Sequence, residues 1–214
     1  LVVSSAKNTF VSKNAVKVVK EFKQRHTIIL ISDPHITRQW AGPPEQGYGI
    51  ELERFDNFVR VANLLNPDFV VCAGDLIHDY TRIDADKDGW GGQARAKAAE
   101  RPYADEKWKN YYEGASGYLG LHGLRAPAFS LAGNHDYYGV DGQERAAQWN
   151  QYCGLRVYGI PYGTTRLLVM DNFLSGKPHP DDQLAILEAF LKKEGPGSLR
   201  ILAQHDHTRF PADF

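Results

Sequence analysis

Three short clusters in this chain carry residue types that can hold metal ions or move protons: Asp33-Pro34-His35, Gly74-Asp75-Leu76-Ile77-His78 and Gly133-Asn134-His135-Asp136. Each directly follows a stretch that reads as a β-strand. In α/β proteins ligands bind in the crevice at the carboxyl ends of the strands, so side chains from separate strand ends can converge on one point there. Residues two apart in an extended segment face the same way, and Asp33 and His35 are therefore expected to grip one ion while Pro34 points elsewhere. An Asp-x-His pair alone is a weak signal. Gly-Asn-His-Asp is far rarer, on the order of one chance match in a thousand chains at average residue usage. A fourth cluster, Gln204-His205-Asp206-His207-Thr208-Arg209, closes the series.

The elements that must position these residues are legible from periodicity. Residues 27–32 form a short apolar, β-branched run, the pattern of a strand buried on both faces. From Ile50 to Leu65 the residues Leu52, Phe55, Val59, Ala62 and Leu65 recur at helical spacing until Asn66-Pro67, and a second apolar run follows at 68–73. The unit is β-α-β. Further strands are predicted at 127–132, 155–160, 165–170 and 199–203, with a helix from about Asp181 to Lys193. The alternation predicts a layered α/β fold with two packed sheets flanked by helices, formed by residues 1–214 as a single domain. Between two of the strands lies an insertion at about 80–124, rich in Trp and Tyr, with a helix expected within 104–118. Such a segment either selects substrate or packs on its own aromatic side chains.

Composition narrows the class. The chain has 214 residues, 25 of them basic and 26 acidic, so no charge excess marks a partner such as nucleic acid or a membrane surface. No apolar run approaches the ~18 to 20 residues of a membrane span, and a soluble protein is expected. Two cysteines make no disulfide framework, and Cys72, inside Phe69-Val70-Val71-Cys72-Ala73, is expected to be a buried, inert thiol. The chain begins at Leu1, as expected of a protein from which a leader has been removed, or of a fragment.

The ordered clusters resemble the calcineurin-like metallophosphoesterase superfamily, whose signature runs Asp-x-His, Gly-Asp, Gly-Asn-His-Asp or Glu, a later His, and Gly-His-x-His. The resemblance spans roughly Thr27 to His207. It implies a β-sandwich flanked by helices, a small phosphorylated substrate, and two divalent or trivalent ions. Asp33 and His35 would hold the first ion, Asp75 would bridge both, and Asn134 would hold the second. Chemistry supports those types: ions about 3.5 to 4 Å apart can share a carboxylate, make hydroxide from water near neutral pH and clamp phosphate oxygens. An Asn carbonyl limits the negative charge around them. His135 would aim its imidazole at the leaving group or a phosphate oxygen, with Asp136 orienting its ring. With Asp, His and Asn donors and no thiolate, the ions are expected to be manganese, iron or zinc.

The carboxyl end departs from the pattern, because one His-containing motif is missing. Chain order makes His205 the family's single later His; local spelling makes Gln204-His205-Asp206-His207 its Gly-His-x-His. His205 is a metal ligand under both readings, and His207 completes the first ion under the second alone. His78 stands where the purple acid phosphatase branch carries a metal-binding Tyr, and it either touches substrate or hydrogen-bonds near the rim. Asp84 to Gly89 copies half of a calcium loop, but Arg95 replaces the closing Glu, so a polar turn is expected. His26, His122 and His179 belong to no cluster. The function expected is hydrolysis of phosphomonoesters or phosphodiesters; the alternative is a degenerate phospho-ligand or partner-binding module without turnover.

Overall fold

The computed structural model describes residues 2–4, 9–11, 18–23, 25–36, 50–78, 101–137, 145–173, 181–192 and 199–206. An antiparallel pair, β1 (Val2–Ser4) with β2 (Thr9–Val11), precedes the parallel unit that the sequence predicts. In that unit β3 (Ile28–Ile31) leads through α1 (Glu51–Leu65) to β4 (Phe69–Ala73). Glu51 and Glu53 place negative charge at the positive end of the α1 dipole. Asn66, left-handed at φ 48°, ends the helix by donating its N–H to the Ala62 carbonyl. Next come α2 (Arg101–Glu113), β5 (Ala128–Leu131), α3 (Arg145–Tyr152), β6 (Tyr158–Tyr162), β7 (Thr165–Val169), α4 (Asp181–Lys192) and β8 (Leu199–Ala203).

One sheet has the order β3-β4-β5, all parallel; the other has β6-β7-β8, with β6 antiparallel and β8 parallel to β7. Alternation along β4 explains how they stack. Phe69, Val71 and Ala73 meet Leu131, Leu167, Val169 and Ala203, which joins the two sheets face to face. Val70 and Cys72 point the other way, onto Leu52, Phe55 and Val59 of α1 and Trp108 and Tyr111 of α2. On the far sheet Leu168 and Met170 pack against Leu187 of α4. The layers are therefore helix, sheet, sheet, helix, and β4, with both faces covered, reads as a continuous apolar run. Burial pushes the Cys72 thiol up to about 11, so the residue is inert as expected. No described helix is long and apolar enough to cross a membrane.

Two expectations shift. The strand predicted at 155–160 forms at 158–162, because the β6–β7 hairpin turns on Gly163-Thr164 and its register counts back from Tyr162↔Thr165. Gly163, at φ 58°, takes the left-handed conformation that such two-residue turns require. Leu155, placed in that strand by its hydrophobicity, is left exposed. The insertion's helix begins earlier than expected, at Arg101, and two of its aromatic residues lie in the core. Trp108 and Tyr111 are fully buried; Trp108 stacks on Tyr152 of α3, and Tyr111 lies 5.4 Å from the Phe55 ring. Ala104, Lys107, Trp108 and Tyr111 fall on one helical stripe, so this part of the insertion belongs to the core. Residues 79–100, including Asp84–Gly89 where a polar turn is expected, lie outside the described residues.

Candidate metal centre

The ladder between β3 and β4 continues past the ends of both strands, and this brings the first two clusters side by side. The Asp33 N–H donates to the Gly74 carbonyl (3.1 Å), the His35 N–H to Asp75 (3.0 Å), the Ile36 N–H to Leu76 (3.0 Å) and the His78 N–H to Ile36 (3.1 Å). The segment is not extended, however. Asp33, His35 and Asp75 all adopt positive φ, at 57°, 46° and 51°. The simple alternation expected of Asp33-Pro34-His35 therefore does not apply, and two left-handed residues re-aim the side chains instead. Left-handed backbone costs a non-glycine residue about 1–2 kcal/mol, and such conformations cluster where function over-determines the geometry.

The side chains meet nevertheless. His35 Nε2 lies 3.7 Å from Asp33 Oδ1 and 3.5 Å from Asp75 Oδ2, and His205, from the end of β8, places Nε2 3.4 Å from the same Asp75 oxygen. One potential ligand atom from each of Asp33, Asp75 and His205 fits within a mutual 4.8 Å, as does one from each of His35, His78 and His135. The other nitrogen of His205, Nδ1, lies 2.7 Å from the Ala73 carbonyl, the arrangement that leaves Nε2 free to ligate. Asp75 is buried, and its Oδ1 accepts the His135 N–H at 2.8 Å. Burial raises the Asp75 pKa, but bonding to and charge from His205, with the His135 N–H, outweigh it and hold the carboxyl below its usual range. For His205 burial acts downward, and the bonds to Asp75 and Ala73 with the charges of Asp75 and Asp33 push it up to about 9. Two carboxylates and two imidazoles so disposed are a donor set suited to manganese, iron or zinc.

Glycines make this approach possible. A Cβ on Gly133 would overlap both the carboxylate and the backbone nitrogen of Asp75, and one on Gly74 would meet the His205 ring. Gly133→Ala is expected to destabilise the fold by about 1–3 kcal/mol through overpacking, and to weaken metal binding because Asp75 must move. Urea unfolding and a metal titration check both effects; a variant of native stability and native affinity would contradict the geometry.

Asp136 serves differently from the role read in the sequence. Its Oδ1 accepts the N–H groups of Leu76 (2.8 Å) and Ile77 (3.1 Å), and its Oδ2 accepts that of Gly133 (2.8 Å). Among the described residues its hydrogen bonds are these three, none to the His135 imidazole, so it fastens two loops together instead of orienting that ring. Burial, then repulsion by Asp75, push its pKa up to about 8 against those donors. Asn134 opens the turn that carries His135, and its carbonyl accepts the Tyr137 N–H. His78 is buried, not at the rim, and its ring stacks on that of His135 at 5.1 Å. His26 packs edge-on to Tyr162, and His122 lies against Tyr112. His207 and His179 lie outside the described residues.

Sequence reasoning missed the support beneath the site. The Tyr137 hydroxyl donates to the buried Asp171, just past β7, which also accepts the Phe173 N–H and faces Arg156 at 3.5 Å. Gln183 of α4 pairs with the backbone N–H and carbonyl of Asp171, and Asn172 donates to the Asp206 carbonyl beside His205. Asp171 had a signal available: it too follows a predicted strand directly.

The calcineurin-like phosphoesterase family model matches residues 26–211 of the chain. No curated protein matches it. Among solved structures, a purple acid phosphatase isolated from yellow lupin (Lupinus luteus) seeds is similar at a TM-score of 0.50 and 12% identity, over 83% of this chain and 29% of that one. At that identity the likeness bears on the fold alone.

Proposed function

Because the chain belongs to the calcineurin-like phosphoesterase family, we propose that it hydrolyses phosphomonoesters or phosphodiesters at a dinuclear metal centre built on Asp33, His35, Asp75, Asn134 and His205, with His207 as a further ligand. One observation carries the reading: carboxylates and imidazoles from separate strand ends, Asp33, Asp75 and His205 among them, come within ligand-sharing distance. Two bound ions would supply Lewis acidity, activating water and neutralising phosphate oxygens. Asp75 Oδ2 lies 3.5 Å from His35 Nε2 and 3.4 Å from His205 Nε2, which supports a role for it in holding both ions. His135, whose ring lies 4.7 Å from that of His35, would give a proton or hold a phosphate oxygen. The balanced charge favours a small phosphorylated substrate over nucleic acid. Residues 1–214 act as one domain in this reading.

Metal analysis of the purified chain, together with turnover of aryl phosphate mono- and diesters in added manganese, iron or zinc, tests the proposal. Two equivalents of metal and turnover that stops on chelation are expected. Metal bound without turnover of either ester would return the binding-module reading, and no metal at all would remove both.

A further inference from the structure

We infer that His78 is a positioning residue for the metal centre: it holds Nδ1 of His35 and so keeps Nε2 of His35 facing the Asp33–Asp75 carboxylates. The inference rests on the metallophosphoesterase reading above. An imidazole's two nitrogen lone pairs point away from each other, so one ion can take only one of them. In His35 the two sides are distinct. Nε2 lies 3.7 Å from Asp33 Oδ1 and 3.5 Å from Asp75 Oδ2, whereas Nδ1 lies 3.2 Å from Nδ1 of His78. A neutral histidine that ligates through Nε2 carries its proton on Nδ1 and needs an acceptor for it. His78 Nδ1 is that acceptor, which makes His78 the tautomer protonated at Nε2. Carboxylates, carbonyls and waters are the usual partners for the outer nitrogen of a ligating histidine. An imidazole does the same without adding a negative charge beside two carboxylates.

His78 is itself held firmly enough for the task. Its N–H donates to the Ile36 carbonyl (3.1 Å), next to His35 in the chain, and Ile36 pairs with Ile77 in a parallel bridge. Its carbonyl accepts the ammonium of Lys107, a buried residue of α2, and its ring stacks on His135. The insertion helix thus reaches the centre through Lys107, then His78, then His35. The competing arrangement is a separate ion held by His35, His78 and His135. Taken through Nδ1 of His35, the nitrogen that faces His78 at 3.2 Å, that ion would put the His35 proton on Nε2, against the carboxylates, so the tautomer separates this arrangement from the one inferred.

The first measurement is the ¹⁵N spectrum of the histidine rings in the metal-free chain, at a pH where they are neutral, with His35 assigned by its loss in His35→Gln. His35 is expected to be protonated at Nδ1. The second is titration with Co²⁺, followed by its visible absorption, in the wild type, His78→Leu and His78→Asn. In His78→Leu the His35 proton should move to Nε2, and the affinity for one ion should fall roughly 10- to 100-fold with saturating stoichiometry unchanged. His78→Asn, whose carbonyl can stand in for the acceptor, should restore most of that loss. A wild-type His35 protonated at Nε2 overturns the inference, as does unchanged affinity in His78→Leu. Loss of one ion at saturation in both variants overturns it as well, and makes His78 a ligand. If His78→Leu does not fold, the wild-type tautomer and His78→Asn still decide. A wild-type chain that binds no cobalt would sink the proposed function, while the tautomer, read without metal, would be decided separately.

Discussion

Asp75→Asn is expected to lose metal and turnover together, with turnover down by about a thousandfold or more, since metal ions carry the activation of water in this chemistry. The substitution is nearly isosteric, so its effect is one of charge and ligation. Asp75 Oδ2 lies 3.5 Å from His35 Nε2 and 3.4 Å from His205 Nε2, and no other carboxylate among the described residues approaches both rings this closely. An amide there gives one neutral oxygen where a carboxylate offers two charged ones, and its NH₂ cannot accept the His135 N–H that Oδ1 now takes at 2.8 Å. Changing a residue that merely supports a ligand costs about 10- to 100-fold in metal affinity, and losing a ligand that serves two ions, the role proposed for Asp75, should exceed that. Metal content after dialysis, measured beside aryl phosphate turnover, checks the prediction. An Asp75→Asn protein that keeps both ions would show that the ions are not centred on this carboxylate.

The strand ends were legible because two independent signals coincide there: an apolar run stops, and a metal-competent residue follows at once, as Ala73 is followed by Gly74-Asp75. Helix α1 was legible because Leu52, Phe55, Val59 and Ala62 form one apolar stripe, and Asn66-Pro67 cannot continue it. What escaped depends on contacts across large sequence separations. The left-handed turns at Asp33 and His35 follow from bonds to residues 74 and 75, about forty positions away, which no local propensity records. Asp136 looked like an orienting carboxylate because it adjoins a histidine. Two of its three partners, the N–H groups of Leu76 and Ile77, come from another loop. Lys107 reads as an ordinary helical lysine until α2 is packed and its ammonium meets the His78 carbonyl. The insertion's aromatics were ambiguous for a related reason: their stripe is clear only once the helix starts at Arg101 and Tyr111 reaches Phe55.

His135→Ala should separate chemistry from ligation. The residue contributes two things, and the substitution removes only one. Its backbone N–H holds Asp75 Oδ1, and alanine retains that bond. Its imidazole, packed edge-on to His35 at 4.7 Å and stacked on His78 at 5.1 Å, is lost. If that ring gives a proton to the leaving group or holds a phosphate oxygen, turnover should fall about 10²- to 10⁴-fold while both ions remain bound at wild-type affinity. An aryl ester with a very acidic leaving group needs little protonation, so a smaller loss on that substrate than on an alkyl phosphate would identify the ring as the acid. An equal loss on both would instead identify it as a phosphate contact. Release of an ion from His135→Ala would count against a purely chemical role and would make the ring either a ligand or, through the stacked His78, a support for His35.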